Sequence, residues 1–234
     1  MPVVLGTLLA GGIAALDATA VAQTLLSQPL VTATALGWLW GDWRIALEVG
    51  IVLQILAAST LPVGARTPED YATGGVIGAG IALALASHQS IEIAREACAL
   101  IGVLAGMVSA TLSVPLLKWQ RRHNEGLARW TEAELLAGRE GALTAAQGAG
   151  VALTFAIGVT YVAAWLALAV WALAPLVARD SLRIARAWSL AEPLWLGLGL
   201  AQLLSAFIQR RLARAAAFGA ALLAAWIVLM VRGR

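Results

Sequence analysis

The chain has little of what soluble enzymes are built from. Its one cysteine, Cys98, lies inside an apolar run, which excludes a disulfide framework and a cysteine-based zinc site. Two isolated histidines, His88 and His123, cannot supply a metal cage, so no metal and no cofactor is expected. Charged residues make up 12% of the 234 positions, against about 25% in soluble domains. No Gly-x-x-x-x-Gly-Lys-Ser/Thr string occurs, which argues against ATP-driven pumping by this chain. No serine elbow with histidine and acid partners occurs either, so a catalytic residue is not expected. The formal charge of +3 comes from 16 Lys and Arg spread thinly between uncharged stretches, which makes no groove for nucleic acid.

What is present is apolar length. Hydrophobic residues reach 61% and the mean hydropathy is +0.83, a membrane composition. Charge-free runs include Met1 to Leu16, Ala18 to Gly41, Val49 to Ala65, Ala97 to Leu117, Gly141 to Ala178, Pro193 to Gln209 and Ala215 to Val231. A span needs about 20 residues to cross a core about 30 Å thick, and several runs are shorter. The first lacks a basic n-region and a cleavage pattern, which predicts a retained helix and not a signal peptide. The run from Ala18 is interrupted by Gln23, Ser27, Gln28 and Pro29, and the stretch Ser59 to Tyr71 carries Pro62, Gly64 and Pro68. Breaks at membrane depth survive only where protein or water satisfies the backbone. The fold class expected is therefore all-α, a polytopic membrane protein with broken or re-entrant helices.

Three regions follow: an N-terminal membrane region (1–117), a polar insertion (118–148) and a C-terminal membrane region (149–234). The insertion carries Lys118, Arg121, Arg122, Arg129 and Arg139 among four glutamates, which places it in the cytoplasm by the positive-inside rule. Thr131 and Glu134 have capping-box spacing, predicting a short helix there. Arg179, Arg183 and Arg186 fall on the opposite side, and their spacing predicts an interfacial amphipathic helix. The pairs Gly74/Gly78 and Gly102/Gly106 predict closely packed helices.

Polar groups at membrane depth are costly and are site candidates by default. Asp17 sits alone between apolar runs and is either such a residue or a helix-end group at the water interface. Asp42 is placed to cap the helix that follows it. Gln54 shares a helical face with Gly50, Ala57 and Ala58, where an amide can donate to and accept from a sugar hydroxyl or join two helices. Arg66, Glu69 and Asp70 lie in the proline-rich stretch, where they can bind hydroxyls or neutralise one another. His88 belongs to a polar bead, Ser87-His88-Gln89-Ser90, that reads as a site or as an interfacial loop.

The order and spacing of Asp17, Gln28-Pro29-Leu30-Val31, Gly37, Gly41-Asp42, Gly50, Gln54, Leu61-Pro62-Val63-Gly64, Pro68-Glu69-Asp70 and His88-Gln89-Ser90 resemble a known family. It is the membrane IIC subunit of the mannose/fructose/sorbose type of the bacterial phosphoenolpyruvate-dependent sugar phosphotransferase system. Many members carry Glu at the position of Gln54 and Arg at that of Gln28. The resemblance implies a multi-pass subunit of the bacterial cytoplasmic (inner) membrane that binds and translocates a hexose-like sugar and is not itself phosphorylated. It implies a IID membrane subunit, cytoplasmic IIA and IIB proteins and an oligomer as partners, within the lipid bilayer. Asp17, Gln54, Arg66, Glu69, Asp70 and His88 are the substrate-binding candidates. A non-transporting scaffold or sensor of the same fold, and an unrelated channel or ion-coupled carrier, are the alternatives.

Overall fold

Helix is the only regular structure among the described residues, as lipid demands of a chain whose backbone groups must be satisfied within each segment. The computed structural model describes residues 2–21, 23–58, 67–88, 92–207 and 210–232. Helix α1 (Pro2–Thr19) is followed by an irregular stretch, then by α2 (Pro29–Trp40) and α3 (Trp43–Ala57). Pro29 opens α2 because a first-turn residue needs no N–H partner. Gly41 closes it in the left-handed region (φ 83°), and the Asp42 side chain caps α3 by accepting from the Ile45 N–H. With 12 and 15 residues the two helices are about 18 and 22 Å long, short of the apolar core. They form a short antiparallel hairpin, the interruption predicted at Pro29. The second expected break falls partly on residues 59–66, which lie outside the described residues.

Helix α4 (Tyr71–Ala86) is the centre of the molecule. It is apolar all round, 12 of its 16 residues are buried, and it packs on α1, α2, α3, α5 and α7. Its closest neighbour is α5 (Arg95–Leu112), and the two glycine pairs meet each other there. A Cβ on Gly78 would lie 2.8 Å from the Gly102 carbonyl oxygen, and one on Gly74 would lie 2.9 Å from that of Gly106. Ile45, Val49, Leu53, Ile77, Ile81 and Val103 complete the core around this contact.

Helix α5 leads, through a bend at Ser113, into α6 (Val114–Leu136), and α7 (Gly141–Leu168) returns antiparallel to it. A π-helical turn, Ala169–Leu173, connects α7 to α8 (Ala174–Arg179). Pro175 accounts for that turn, since its ring excludes the regular bond to the Trp171 carbonyl. The stretches Arg95–Leu136 and Gly141–Arg179 contain 42 and 39 residues, about twice a span, so their joined ends project as a helical hairpin. The 118–148 stretch is that hairpin. It is mostly exposed, and the Arg139 guanidinium at its turn hydrogen-bonds the Glu134 carboxyl and holds it below the usual carboxylate range. The expected capping box is overturned. Thr131 lies inside α6 and its hydroxyl donates to the Leu127 carbonyl (2.8 Å), because the helix starts 17 residues earlier, at Val114.

Helices α9 (Ser181–Phe207) and α10 (Arg211–Arg232) complete the chain. No separate interfacial helix forms around the arginines. Asp180 breaks the helix after Arg179, and Arg183 and Arg186 lie in the first two turns of the long α9. The side chains Leu212, Leu223 and Trp226 give α10 an exposed apolar surface.

Candidate functional site

The polar side chains scattered through the apolar helices converge at the hairpin end of the bundle. They enclose a cavity of about 630 Å³, within the range of about 300–1,000 Å³ of small-molecule sites. Its walls come from the end of α1, the start of α2, the first turn of α4, the α5–α6 bend and the first half of α7.

Asp17 builds one wall without lining it. Only 5% exposed near the end of α1, its carboxylate accepts from the Thr24 N–H (2.6 Å), the Thr24 hydroxyl (2.7 Å) and the Ser27 N–H (2.8 Å). These bonds staple an unusual piece of backbone. Gln23 and Leu25 have φ of 50° and 71°, a region that non-glycine residues enter only under constraint. The stapled segment ends by presenting Ser27 and Gln28 to the cavity.

Gln54 stands behind Gln28. Its amide nitrogen donates to the Gln28 side-chain oxygen (2.7 Å) and its oxygen accepts from the Leu30 N–H (3.3 Å). The two positions at which this chain departs from the pattern it resembles are thus bonded to each other. An Arg–Glu pair there would be ionic, whereas Gln–Gln keeps the contact neutral and avoids desolvating two charges. Gln54 is not among the lining residues, so it acts on the cavity by fixing the Gln28 amide.

On the facing wall Asp70 caps α4, accepting from the Ala72 and Thr73 N–H groups (3.1 and 3.2 Å) and the Thr73 hydroxyl (2.6 Å). A carboxylate has about four acceptor positions, so one is left for a cavity hydroxyl. Glu69 lines the cavity beside it, and Thr67 ties this loop to the hairpin by accepting from Arg121 (3.2 Å). From α7 come Gln147, Gly150, Thr154 and Tyr161. Gln120 donates to the Thr154 hydroxyl (2.6 Å), which donates to the Gly150 carbonyl (2.8 Å), and the Tyr161 hydroxyl donates to the Ser109 carbonyl (2.7 Å). The cavity therefore offers oriented neutral amides and hydroxyls, two acids and one arginine that is already bonded. Such a lining suits a neutral polyhydroxyl ligand better than an ion.

Of the residues singled out from sequence, Glu69 and Asp70 face the cavity, while Asp17 and Gln54 support it from behind. Arg66 lies outside the described residues. His88 is not brought to the cavity: it follows the far end of α4, a helix about 24 Å long that starts after Asp70, and its buried Nδ1 has no hydrogen-bond partner among the described residues. Sequence reasoning missed Gln120, Asn124, Gln147, Thr154 and Tyr161 as lining groups. A signal existed for α7, where 147, 150, 154 and 161 recur on one face of a helix that is otherwise apolar.

Comparison with known proteins adds a family and a fold. The family described as "PTS system sorbose-specific iic component" matches residues 3–219. None of the curated proteins compared with the chain matches it. A solved structure described as "Structure of membrane protein" superposes with a TM-score of 0.66, over 98% of this chain and 96% of that one, at 14% identity. Similarity at that level concerns the fold.

Proposed function

The chain belongs to the family of sorbose-specific IIC components of the phosphotransferase system, and from that premise we propose that it binds a hexose-like sugar in the 630 Å³ cavity and carries it across the membrane. The observation that carries the reading is the lining itself: paired neutral amides and hydroxyls, held in fixed orientation inside an otherwise apolar bundle. A sugar hydroxyl both donates and accepts; the Gln28 and Gln120 amides can answer it in either sense, and Thr154, whose proton goes to the Gly150 carbonyl, can accept. Asp70 contributes the strongest single bond, since a carboxylate acceptor is worth about 1.5–3 kcal/mol against about 0.5–1.5 for a neutral one.

The cavity reaches the base of the α6–α7 hairpin through Arg121, Asn124 and Gln147. With that hairpin in the cytoplasm of a bacterium, as its five cations favour, the cavity is open inward and delivers sugar to the side where IIA and IIB proteins carry phosphate. A IID subunit and further copies of the chain would cover the exposed apolar faces. The part of the chain is to position the sugar.

The test is uptake of a radiolabelled sugar panel by cells expressing the chain with its companion subunits, alongside Asp70→Asn. Transport of one sugar, with affinity for it weakened by the variant, supports the proposal. Binding of companion subunits without uptake of any sugar would move the chain to the scaffold reading.

A further inference from the structure

A second cavity lies at the end of the bundle opposite the hairpin, where α5 begins and α7–α8 ends. About 740 Å³ in volume, it is lined by Arg95, Arg179, Arg183 and Arg186, with Glu92 and Asp180 as its acids. Arg95 is bonded to Asp42 (2.7 Å), and Arg183 lies 3.6 Å from Asp180. Arg179 and Arg186 have no carboxylate partner among the described residues, so the cavity carries unneutralised positive charge. This is also the side of the bundle that the positive-inside rule leaves poor in arginine. The break at Asp180 matters here. One continuous helix would line the three arginines along a single face, whereas the break lets α8 and α9 hold them around a concave surface.

The setting narrows the ligand. Arg95 opens one span and Arg179 closes another, which puts the cavity at headgroup depth. Leu182, 75% exposed, lines the same cavity, and Leu176 on α8 is 65% exposed. Phosphate-binding guanidinium groups beside exposed leucines match an amphipathic anion, with its phosphate in the cavity and its acyl chains along the leucines. We propose that this cavity binds the phosphate of an anionic membrane lipid, with Arg179 and Arg186 as its principal ligands.

The experiment reconstitutes the full chain in phosphatidylcholine nanodiscs and compares the association of spin-labelled phosphatidylglycerol with that of spin-labelled phosphatidylcholine. The native protein should prefer the anionic lipid. Arg179→Gln/Arg186→Gln should reduce that preference by about fivefold per arginine, the equivalent of about 1 kcal/mol for each basic residue at an anionic surface. Glu92→Gln, which removes a negative charge from the same wall, should raise the preference, a gain that misfolding cannot produce. An unchanged preference in the double variant overturns the proposal. Saturating inorganic phosphate that abolishes the preference identifies a free-anion site instead, and loss of the preference on assembly with the companion membrane subunit identifies a protein interface. Either result overturns it.

Discussion

The two ends of the helix bundle hold their polar groups in opposite ways. At the hairpin end, neutral side chains bond one another in pairs deep among the helices: Gln28 with Gln54, and Gln120 with Thr154. At the other end the polar groups are guanidiniums at a rim, two of them without carboxylate partners among the described residues. The difference follows from solvation. An amide or hydroxyl can leave water if it finds a partner, whereas an ion at depth needs a counter-ion and is tolerated mainly where water or headgroups reach it. A path for a neutral ligand belongs among the first kind, and an anchor in the bilayer surface among the second.

The sharpest way to break the hairpin end is Asp17→Ala. The Thr24 and Ser27 N–H groups lose their acceptor, the left-handed residues Gln23 and Leu25 relax, and Gln28 leaves the cavity wall. We expect sugar uptake at background level with normal membrane insertion, measured by whole-cell transport and membrane fractionation. Retained uptake would separate the stapled segment from function.

A smaller effect is expected at the amide pair. Gln54→Glu allows Gln28 to turn its nitrogen toward the new carboxylate, so the cavity sees an oxygen where it had a nitrogen. Gln28→Arg alone adds a cation facing a neutral amide. Combined, Gln28→Arg and Gln54→Glu form an ion pair, and a double-mutant cycle on thermal stability should give a favourable coupling of about 1–3 kcal/mol. Strict additivity would mean that the two positions do not interact.

These residues also show what a sequence discloses. Asp42 was legible because capping is local, and the hairpin break was legible because Pro29 announces it; the capping role of Asp70 emerges only in the structure. The glycine pairs declared themselves by spacing, and α4 and α5 do meet on them. The bond between Gln28 and Gln54 joins residues 26 apart, and nothing in local pattern selects that partner. Thr131 misled because capping-box spacing says nothing about whether a helix has already begun. His88 shared a resemblance motif with the site residues, yet motif membership does not set distance, and α4 carries it to the other end of the bundle.

Thr154→Val keeps shape and removes the hydroxyl that Gln120 bonds. We expect sugar affinity to fall about two- to twelvefold, the worth of about 0.5–1.5 kcal/mol for one neutral hydrogen bond, as measured by the concentration dependence of uptake. The smallest effect belongs to the far end. Arg179→Gln/Arg186→Gln should leave apparent sugar affinity unchanged while lipid preference falls; a matching loss of sugar affinity would show that the two ends are coupled.

The central claim is that sugar occupies the hairpin-end cavity. The single cysteine gives direct access to it. In a Cys98→Ala background, Gln147→Cys places a thiol at an exposed position of the cavity wall, and Leu182→Cys places one at the opposite cavity. Maleimide labelling rates in membranes, with and without the transported sugar, read occupancy at each place. The account predicts slower labelling at position 147 and an unchanged rate at 182. Equal rates at 147 in protein that still transports the sugar, or protection at 182 alone, would contradict it.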